Sequence, residues 1–496
     1  MKIPKILIIL LLALFLRIIF FTGFSGSDDY LLVKAADALN KGGLDFSASN
    51  HIPLRLALLY PVAFLINLIG INDFAISIFP LLCSLGIVLF TYLIGKKLFN
   101  QQIGLLAATL LSFFPLEVLH GSILVGEPIA EFFFLVGVYL LLLDKPFLSF
   151  LGGFSLGIAY LAKELYLLTF PFLLAYLWYR KKHIGKDHFF FSLGFITILL
   201  GEFIYFFSAT GNFFYRQEVI QHFTTLFTPE KTTLLRELFL GYPNLTLNPL
   251  NLQVGLFFYL FYVVLLFALV KRMKPLYSLL IFTLFFFLYL NFGSASLTQY
   301  IPLPRSLRYF MLFSAPLALM SSFVLFSLKK QVKPFLIPFL LGILFLSSLF
   351  SMYFAFHTLY ESASVEGMKQ VQEDISSFPV VYVDQNNIYH LKYLFGFSAS
   401  PQFIPFTNLT NNVTFSHTAI VVDRGMFQRE LSFGEMTRED FFHVIEEKGV
   451  LVQEVQYYQK PGCALLTHFY LFQRPFFQQK LQLGCKKIDV AVYSIP

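Results

Sequence analysis

Two adjacent carboxylates follow directly on the first long apolar run of the chain, in the segment Gly26–Tyr30. A carboxylate beside an apolar surface can act as a general base, which takes the proton from a hydroxyl as that hydroxyl attacks an electrophilic carbon. Adjacent acids in a wet loop need no such role, so a solvated loop is the alternative interpretation. Asp28 and Asp29 are therefore the candidate catalytic residues.

Basic residues in other polar loops could bind an anionic leaving group, and the candidates are Arg55, Lys163, Arg305 and Arg308. A phosphate leaving group needs cations in a partly desolvated site, because negative charge grows on its oxygens as the bond breaks. The alternatives are side chains that reach toward lipid headgroups and, for Lys163, an ion pair with the adjacent Glu164. We predict that these cations bind substrate.

A second group of polar residues lies at or within apolar runs. Glu127 precedes Pro128 and is a predicted substrate-binding residue, although an acid at a helix N-terminus is favoured by the helix dipole alone. Arg17 and Glu202 lie inside apolar runs and are candidates because charges there are costly, with Arg17 able to pair with an acid of the first polar loop. His120 has no second ligand at helical spacing, so no transition-metal site is predicted. Whether a divalent cation assists is left open.

The composition identifies the environment that these residues occupy. The 496 residues are 57% hydrophobic and 13% charged, with 65 Phe and a mean hydropathy of +0.70, whereas soluble domains are about 25% charged. The net charge of +7 comes from short basic clusters between apolar runs. This pattern excludes a nucleic-acid partner and indicates an integral membrane protein with many spans.

Eleven apolar runs approach the length of about 20 residues that crosses a bilayer. They cover residues 6–24, 74–95, 103–119, 128–143, 147–162, 165–179, 189–208, 252–270, 276–291, 309–328 and 335–355. Cytoplasmic loops carry an excess of Lys and Arg, and alternate loops do so here, at residues 96–97, 145, 180–186, 271–274 and 329–333. The N-terminus is then cytoplasmic, and the first run, which has no small-residue cleavage site, is a retained signal anchor.

One further run, Ile52–Gly70, is also long enough to span. Counting it would place every basic loop outside, so we predict a juxtamembrane or re-entrant helix within the outer loop 25–73. The resulting odd number of spans places Asp28, Glu127 and Lys163 on the same, outer side.

The C-terminal part has a different pattern and predicts a small extracytoplasmic α/β domain at residues 357–496, after a transmembrane domain at 1–356. Short strand-like runs alternate with helical stretches such as Glu439–Lys448. Cys463 and Cys485 lie in this part, and both a disulfide and two free thiols remain open. The strand-like runs are Val380–Val383, Ala419–Val422 and Val450–Val452.

The order of these features resembles a known family, the multispanning GT-C glycosyltransferases of the dolichyl-phosphate-mannose protein mannosyltransferase and aminoarabinose (undecaprenyl-phosphate sugar) transferase type. The likeness covers the first 180 residues well and the later helices loosely. The segments that resemble it, after the arginine-bearing first span and the acidic pair, are Ile76–Phe99, Gly104–Glu131, Gly157–Pro171 and Leu307–Pro316.

The resemblance implies roles for individual residues. Asp28 matches the acidic position of the family's catalytic base, and Asp29 matches its acidic neighbour, which is usually Glu. Lys163 matches the lysine after the fifth span, and Arg55 falls near the basic juxtamembrane segment that faces the lipid phosphate. Glu127 stands where the family usually has Asp.

The resemblance implies an inverting transferase that moves a sugar from a polyprenyl-phosphate donor, dolichyl or undecaprenyl, to a hydroxyl of a lipid, glycan or protein on the outer membrane face. In a prokaryote this is the plasma membrane. Protein as acceptor is not specifically implied, and the oligosaccharyltransferase branch is disfavoured because its Trp-Trp-Asp motif cannot exist in a chain whose only tryptophan is Trp178. A transporter or lipid flippase is the alternative, and a scaffold for the C-terminal domain is a third hypothesis.

Overall fold

The computed structural model describes the chain in two compact units. Met1–Phe24 and Leu31–Tyr353 form the first, here called the membrane unit, and Ser25–Tyr30 with Phe354–Pro496 form the second, here called the C-terminal unit. The structure describes residues 4–47, 49–225, 234–248, 251, 253–294, 300, 302, 303, 305–329, 331–356, 363–384, 387–408, 417–423, 443, 445, 447, 449–457 and 488–495.

The membrane unit is helical throughout its described elements. Three short 3-10 helices that matter below are Ile52–Leu54, Glu164–Leu168 and Leu307–Phe313. The α-helices are α1 (Lys5–Ile19), α2 (Asp28–Asn40, whose first three residues belong to the C-terminal unit), α3 (Leu56–Ile69), α4 (Asp73–Leu98), α5 (Gln101–Ser112), α6 (Pro115–Leu119), α7 (Gly126–Leu141), α8 (Pro146–Ala162), α9 (Thr169–Lys181), α10 (Lys186–Thr210), α11 (Tyr215–Thr225), α12 (Leu234–Leu247), α13 (Phe257–Val270), α14 (Tyr277–Phe292), α15 (Ser314–Leu328) and α16 (Leu336–Ala355).

Local sequence explains where several of these helices begin and end. The side chain of Asn72 accepts a hydrogen bond from the Ala75 N–H at 2.9 Å, which caps the N-terminus of α4. Asn100 caps α5 in the same way. Residue Phe114 is extended because it precedes Pro115, so the predicted run 103–119 is two helices rather than one.

Each predicted apolar run contains one or more helices, but the number of runs that cross a membrane stays a prediction. By length and apolar composition, five helical stretches of the described residues qualify as spans, and four apolar helices are shorter. Large apolar side chains point outward, such as Ile204 at 65% and Leu346 at 70% exposure. Such faces suit lipid rather than water, and the chain is an integral membrane protein. The five stretches are Asp73–Leu98, Lys186–Thr210, Lys274–Phe292, Leu307–Leu328 and Leu336–Ala355.

The C-terminal unit contains a mixed sheet, so the predicted α/β character is confirmed. The five described strands lie in the order β2-β1-β3-β5-β4, with β1 parallel to β2 and β3 and with β5 antiparallel to β3 and β4. Cys463, Cys485 and most of the predicted helix Glu439–Lys448 lie outside the described residues. The elements are α17 (Ala363–Ile375), β1 (Val380–Val383), α18 (Asn387–Leu394), β2 (Gln402–Pro405), β3 (Thr418–Asp423), β4 (Val450–Tyr457) and β5 (Ile488–Ile495).

Apolar side chains pack on both faces of the sheet, and the larger cluster includes α17 and α18. On α17, Met368, Val371 and Ile375 recur at helical spacing and are fully buried. They pack with Val381 of the central strand β1 and with Leu391 of α18. Both helices are therefore fixed to the sheet by apolar contacts.

Candidate active site

Lys163 lies where α8 ends and the 3-10 helix begins, and its Nζ is 2.9 Å from Oε1 of Glu127. Both side chains are largely buried, with 12% and 5% exposure. Gly126 allows this contact, because a Cβ at that position would lie 2.6 Å from the carbonyl oxygen of Ala162. The start of α7 and the end of α8 therefore meet closely enough for Glu127 and Lys163 to form an ion pair.

Arg55 reaches the same end of α8 from the residue before α3. Its guanidinium donates to the carbonyl of Ala162 at 3.2 Å and forks across both carboxylate oxygens of Glu164. The Glu164 side chain remains 38% exposed, against 13% for Arg55. Water therefore screens part of this attraction.

The 3-10 helix Leu307–Phe313 supplies the third side of the site. The ammonium of Lys163 lies 4.8 Å from the ring centroid of Tyr309, a cation–π distance. The charge of Arg308 acts directly on the Glu127 carboxylate, and Ser306 accepts hydrogen bonds from the backbone and side chain of Arg308.

Three of the predicted cations thus surround Glu127. We call Arg55, Lys163 and Arg308, together with Glu127 and Glu164, the cation cluster. Arg305 is placed by a different element, since its guanidinium packs over Gly241 of α12, where a Cβ would lie 2.2 Å from its Cζ.

The charges of the cluster hold one another ionised. Burial raises the pKa of Glu164, but the Arg55 guanidinium and the Lys163 ammonium outweigh it and hold that pKa well below its usual range. Burial lowers the pKa of Lys163, but the Glu127 carboxylate, together with Tyr309 and Glu164, more than offsets this, so the pKa of Lys163 lies above its usual value. Three cations face two carboxylates, which leaves a net positive charge for an anionic ligand.

Arg216 of α11, which the sequence analysis missed, braces the backbone next to this cluster. Its Nε donates to Glu202 at 2.6 Å and its Nη2 donates to the carbonyl of Leu54 at 2.7 Å, directly before Arg55. Its guanidinium also lies 4.5 Å from the ring centroid of Tyr160 on α8. The candidate Glu202 is therefore one half of a buried structural ion pair.

A second group of acids, also missed, lies inside the membrane unit. Glu117 and Glu131 are both fully buried, and the hydroxyl of Ser314 lies 2.5 Å from the first and 2.8 Å from the second. Arg17 is paired electrostatically with these two acids and donates to Ser84 at 2.7 Å. The interpretation that Arg17 pairs with an acid of the first polar loop is therefore replaced. The acids were inconspicuous because each lies singly in an apolar stretch.

The acidic pair belongs to the C-terminal unit, and the structure distinguishes its two members. Asp29 is fully buried and accepts from the backbone N–H groups of Ser25, Ser27 at 2.7 Å and Tyr30 at 3.1 Å. Burial raises the pKa of Asp29, and these N–H groups offset that rise only in part. Asp28 is exposed at the first position of α2. Asp29 therefore shapes the loop, and the Asp28 carboxylate is the one accessible to a substrate.

Among the described residues, no three His, Cys, Asp or Glu side chains lie close enough together to hold a metal ion. The structure thus offers no residue set to which a divalent cation can be assigned within those ranges.

A stretch of the chain that contains part of this site matches a known protein family. Residues 56–205 match the profile of the family described as dolichyl-phosphate-mannose-protein mannosyltransferase. A search of curated proteins gives no match. The matched stretch contains Glu127, Lys163 and Glu164 and begins one residue after Arg55.

Solved structures share the fold at low sequence identity. ArnT from Cupriavidus metallidurans bound to undecaprenyl phosphate has a TM-score of 0.55 at 12% identity, covering 98% of this chain and 97% of that one. The oligosaccharyltransferase AglB from Archaeoglobus fulgidus, in complex with an inhibitory peptide and a dolichol-phosphate, has a TM-score of 0.52 at 13% identity, covering 92% and 73%. With the family profile, this likeness shows that the chain has the fold of the GT-C membrane glycosyltransferases.

Proposed function

We propose that this protein is a glycosyltransferase that moves a sugar from a polyprenyl-phosphate donor to an acceptor hydroxyl, with inversion at the anomeric carbon. The observation that carries the proposal is the cation cluster, in which three cations, all at least partly buried, exceed the two carboxylates that they face. Two structures with the same fold were determined with undecaprenyl phosphate and with a dolichol-phosphate.

The proposed reaction is a single displacement. Asp28 takes the proton of the acceptor hydroxyl, whose oxygen attacks the anomeric carbon on the face opposite the phosphate. A new glycosidic bond forms as the bond between the anomeric carbon and the phosphate oxygen breaks, and the electron pair leaves with the phosphate. Lys163, Arg55 and Arg308 stabilise the charge that grows there. Asp29 maintains the shape of the loop that carries Asp28.

The acceptor and the location belong to the same proposal. The distribution of basic loops supports an active site on the outer face of the membrane, which is the plasma membrane if the organism is prokaryotic. The acceptor is a hydroxyl of a lipid, glycan or protein. Fold likeness extends to an oligosaccharyltransferase, so it does not choose among these acceptors.

The test is transfer by the purified full chain in lipid nanodiscs, with a panel of labelled undecaprenyl- and dolichyl-phosphate sugars. Asp28→Asn should lower turnover by about 100-fold or more, because a general base contributes at least that much. The matched control is Asp37→Asn, since Asp37 lies on the same helix and pairs with Lys41 at 2.6 Å. Turnover by Asp28→Asn within a few-fold of the wild type would overturn the assigned role, and transport of the lipid without sugar transfer would favour a flippase.

A further inference from the structure

The six residues Ser25–Tyr30, here called the acidic loop, group with the C-terminal unit although the chain on both sides of them belongs to the membrane unit. Sequence proximity would place this loop with α1 and with the rest of α2. Its own packing therefore connects it to elements more than 350 residues later in the chain, at residues 389–397.

Aromatic rings make the first of these contacts. The ring of Tyr30 lies 4.4 Å from that of Tyr389 on α18 and 5.6 Å from that of Phe397, centroid to centroid. These distances are those of favourable aromatic pairs. Tyr30 is 5% exposed, so its ring is seated between its partners rather than left in solvent.

The backbone of the loop makes the second contact. Gly26 has a φ of +74°, and a Cβ built on it would lie 2.3 Å from Nε2 of His390. Only a glycine allows the main chain to lie this close to the imidazole in this conformation. His390 is itself 9% exposed, and it forms the surface on which the loop rests.

The helix that supplies these contacts is fixed to the sheet. Asp384, directly after β1, accepts hydrogen bonds from the backbone of Asn387 at 3.0 Å and from its side chain at 2.8 Å, which anchors the start of α18. Leu391 of the same helix is fully buried in the core of the unit. A support held in this way can fix the position of a loop more closely than the loop could by itself.

We propose that the C-terminal unit positions the catalytic base, with Tyr389 and His390 as positioning residues for the acidic loop and hence for Asp28. This inference rests on the proposed function, in which Asp28 is the base. A base that moves by about 1 Å can lose about 100-fold in rate, so the rigidity of α18 contributes directly to turnover. The unit then acts on the rate of transfer rather than on donor binding, which the cation cluster provides.

The first experiment measures the loop itself and needs no activity. In the full chain in nanodiscs, hydrogen exchange of the acidic-loop amides should be slow in the wild type, because Ser25, Ser27 and Tyr30 donate to Asp29. Tyr389→Ala should speed this exchange about threefold to tenfold, as expected for the loss of an aromatic pair. Tyr493→Ala, on β5 of the same unit, is the matched control and should leave it unchanged. Unchanged exchange in Tyr389→Ala would overturn the proposal whatever the protein catalyses.

The second experiment measures turnover with whichever donor and acceptor the wild type uses. Tyr389→Ala should lower kcat about threefold to tenfold with the donor KM unchanged, and Tyr389→Phe, which keeps the ring, should retain wild-type kcat. Equal losses in Tyr389→Ala and Tyr493→Ala would show a general packing effect and reject the inference. If Asp28→Asn keeps activity while the exchange result holds, the role of Asp28 as the base fails and the loop placement stands.

Discussion

The cation cluster and the acidic loop contrast in how their charges are held. In the cluster, residues far apart in sequence meet at helix ends, and two of the three cations form ion pairs, Lys163 with Glu127 and Arg55 with Glu164. In the acidic loop, Asp29 is satisfied by backbone within four residues. Ion pairing therefore stabilises the cation cluster, whereas local hydrogen bonds stabilise the acidic loop. Substitutions should affect the two regions in different ways.

The largest effect is expected where a buried pair in the cluster is broken. Lys163→Met removes the ammonium that contacts the buried Glu127 carboxylate, which should lower the free energy of unfolding by about 3–5 kcal/mol. Because the variant also lacks the ammonium that binds the donor phosphate, sugar transfer should fall by about 100-fold or more. Thermal unfolding and transfer assays measure the two effects.

The double variant Lys163→Met/Glu127→Gln separates these effects. It removes both charges of the pair, so stability should largely return while transfer stays low. If transfer returns together with stability, Lys163 is a structural partner of Glu127 and not a phosphate ligand.

A smaller effect is expected at Arg55, where geometry rather than charge is changed. Arg55→Lys keeps the positive charge but cannot fork across both oxygens of Glu164. The donor KM should rise about tenfold, in line with the loss of one charge-assisted hydrogen bond, with kcat little changed. Steady-state kinetics measures this, and a donor KM equal to that of the wild type would contradict a role for the Arg55 fork in donor binding.

The smallest effect is expected from pH. The pKa of Glu164 is lowered. Its contribution to the stability of the folded state is therefore present above the ordinary carboxyl pKa and is lost only as the pH falls through the lowered value. The pKa of Lys163 is raised. Its contribution to stability is therefore lost only as the pH rises through a value above the ordinary lysine pKa. Binding of a phosphodiester donor, measured by calorimetry, should thus vary less than about twofold between pH 5 and 9. A steep change in donor affinity between these pH values would mean that the ion pairs of Lys163 and Arg55 are not formed.

The sequence predicted the features that depend on local pattern and order. The apolar runs, the strands of the C-terminal unit and the candidate residues Asp28, Glu127 and Lys163 follow from composition, spacing and resemblance. The pairing of Glu127 with Lys163 depends in addition on tertiary packing, because Gly126 allows α7 to approach the end of α8.

Other features were hidden because they exist only after folding. Glu117 and Glu131 are single acids in apolar segments until Ser314 and Arg17 join them. Arg216 has no motif, and its role comes from three elements that it connects. The grouping of the acidic loop with the C-terminal unit rests on ring contacts between residues distant in sequence, which no local pattern encodes.

The central claim is that one region binds the donor phosphate and the other performs proton transfer. The most direct test is to measure donor binding and single-turnover transfer in parallel for Asp28→Asn and Lys163→Met/Glu127→Gln. Asp28→Asn should bind donor as the wild type does and transfer about 100-fold or more slowly, whereas the double variant should lose donor affinity. Wild-type transfer by Asp28→Asn, or undiminished donor affinity in the double variant, would contradict the account.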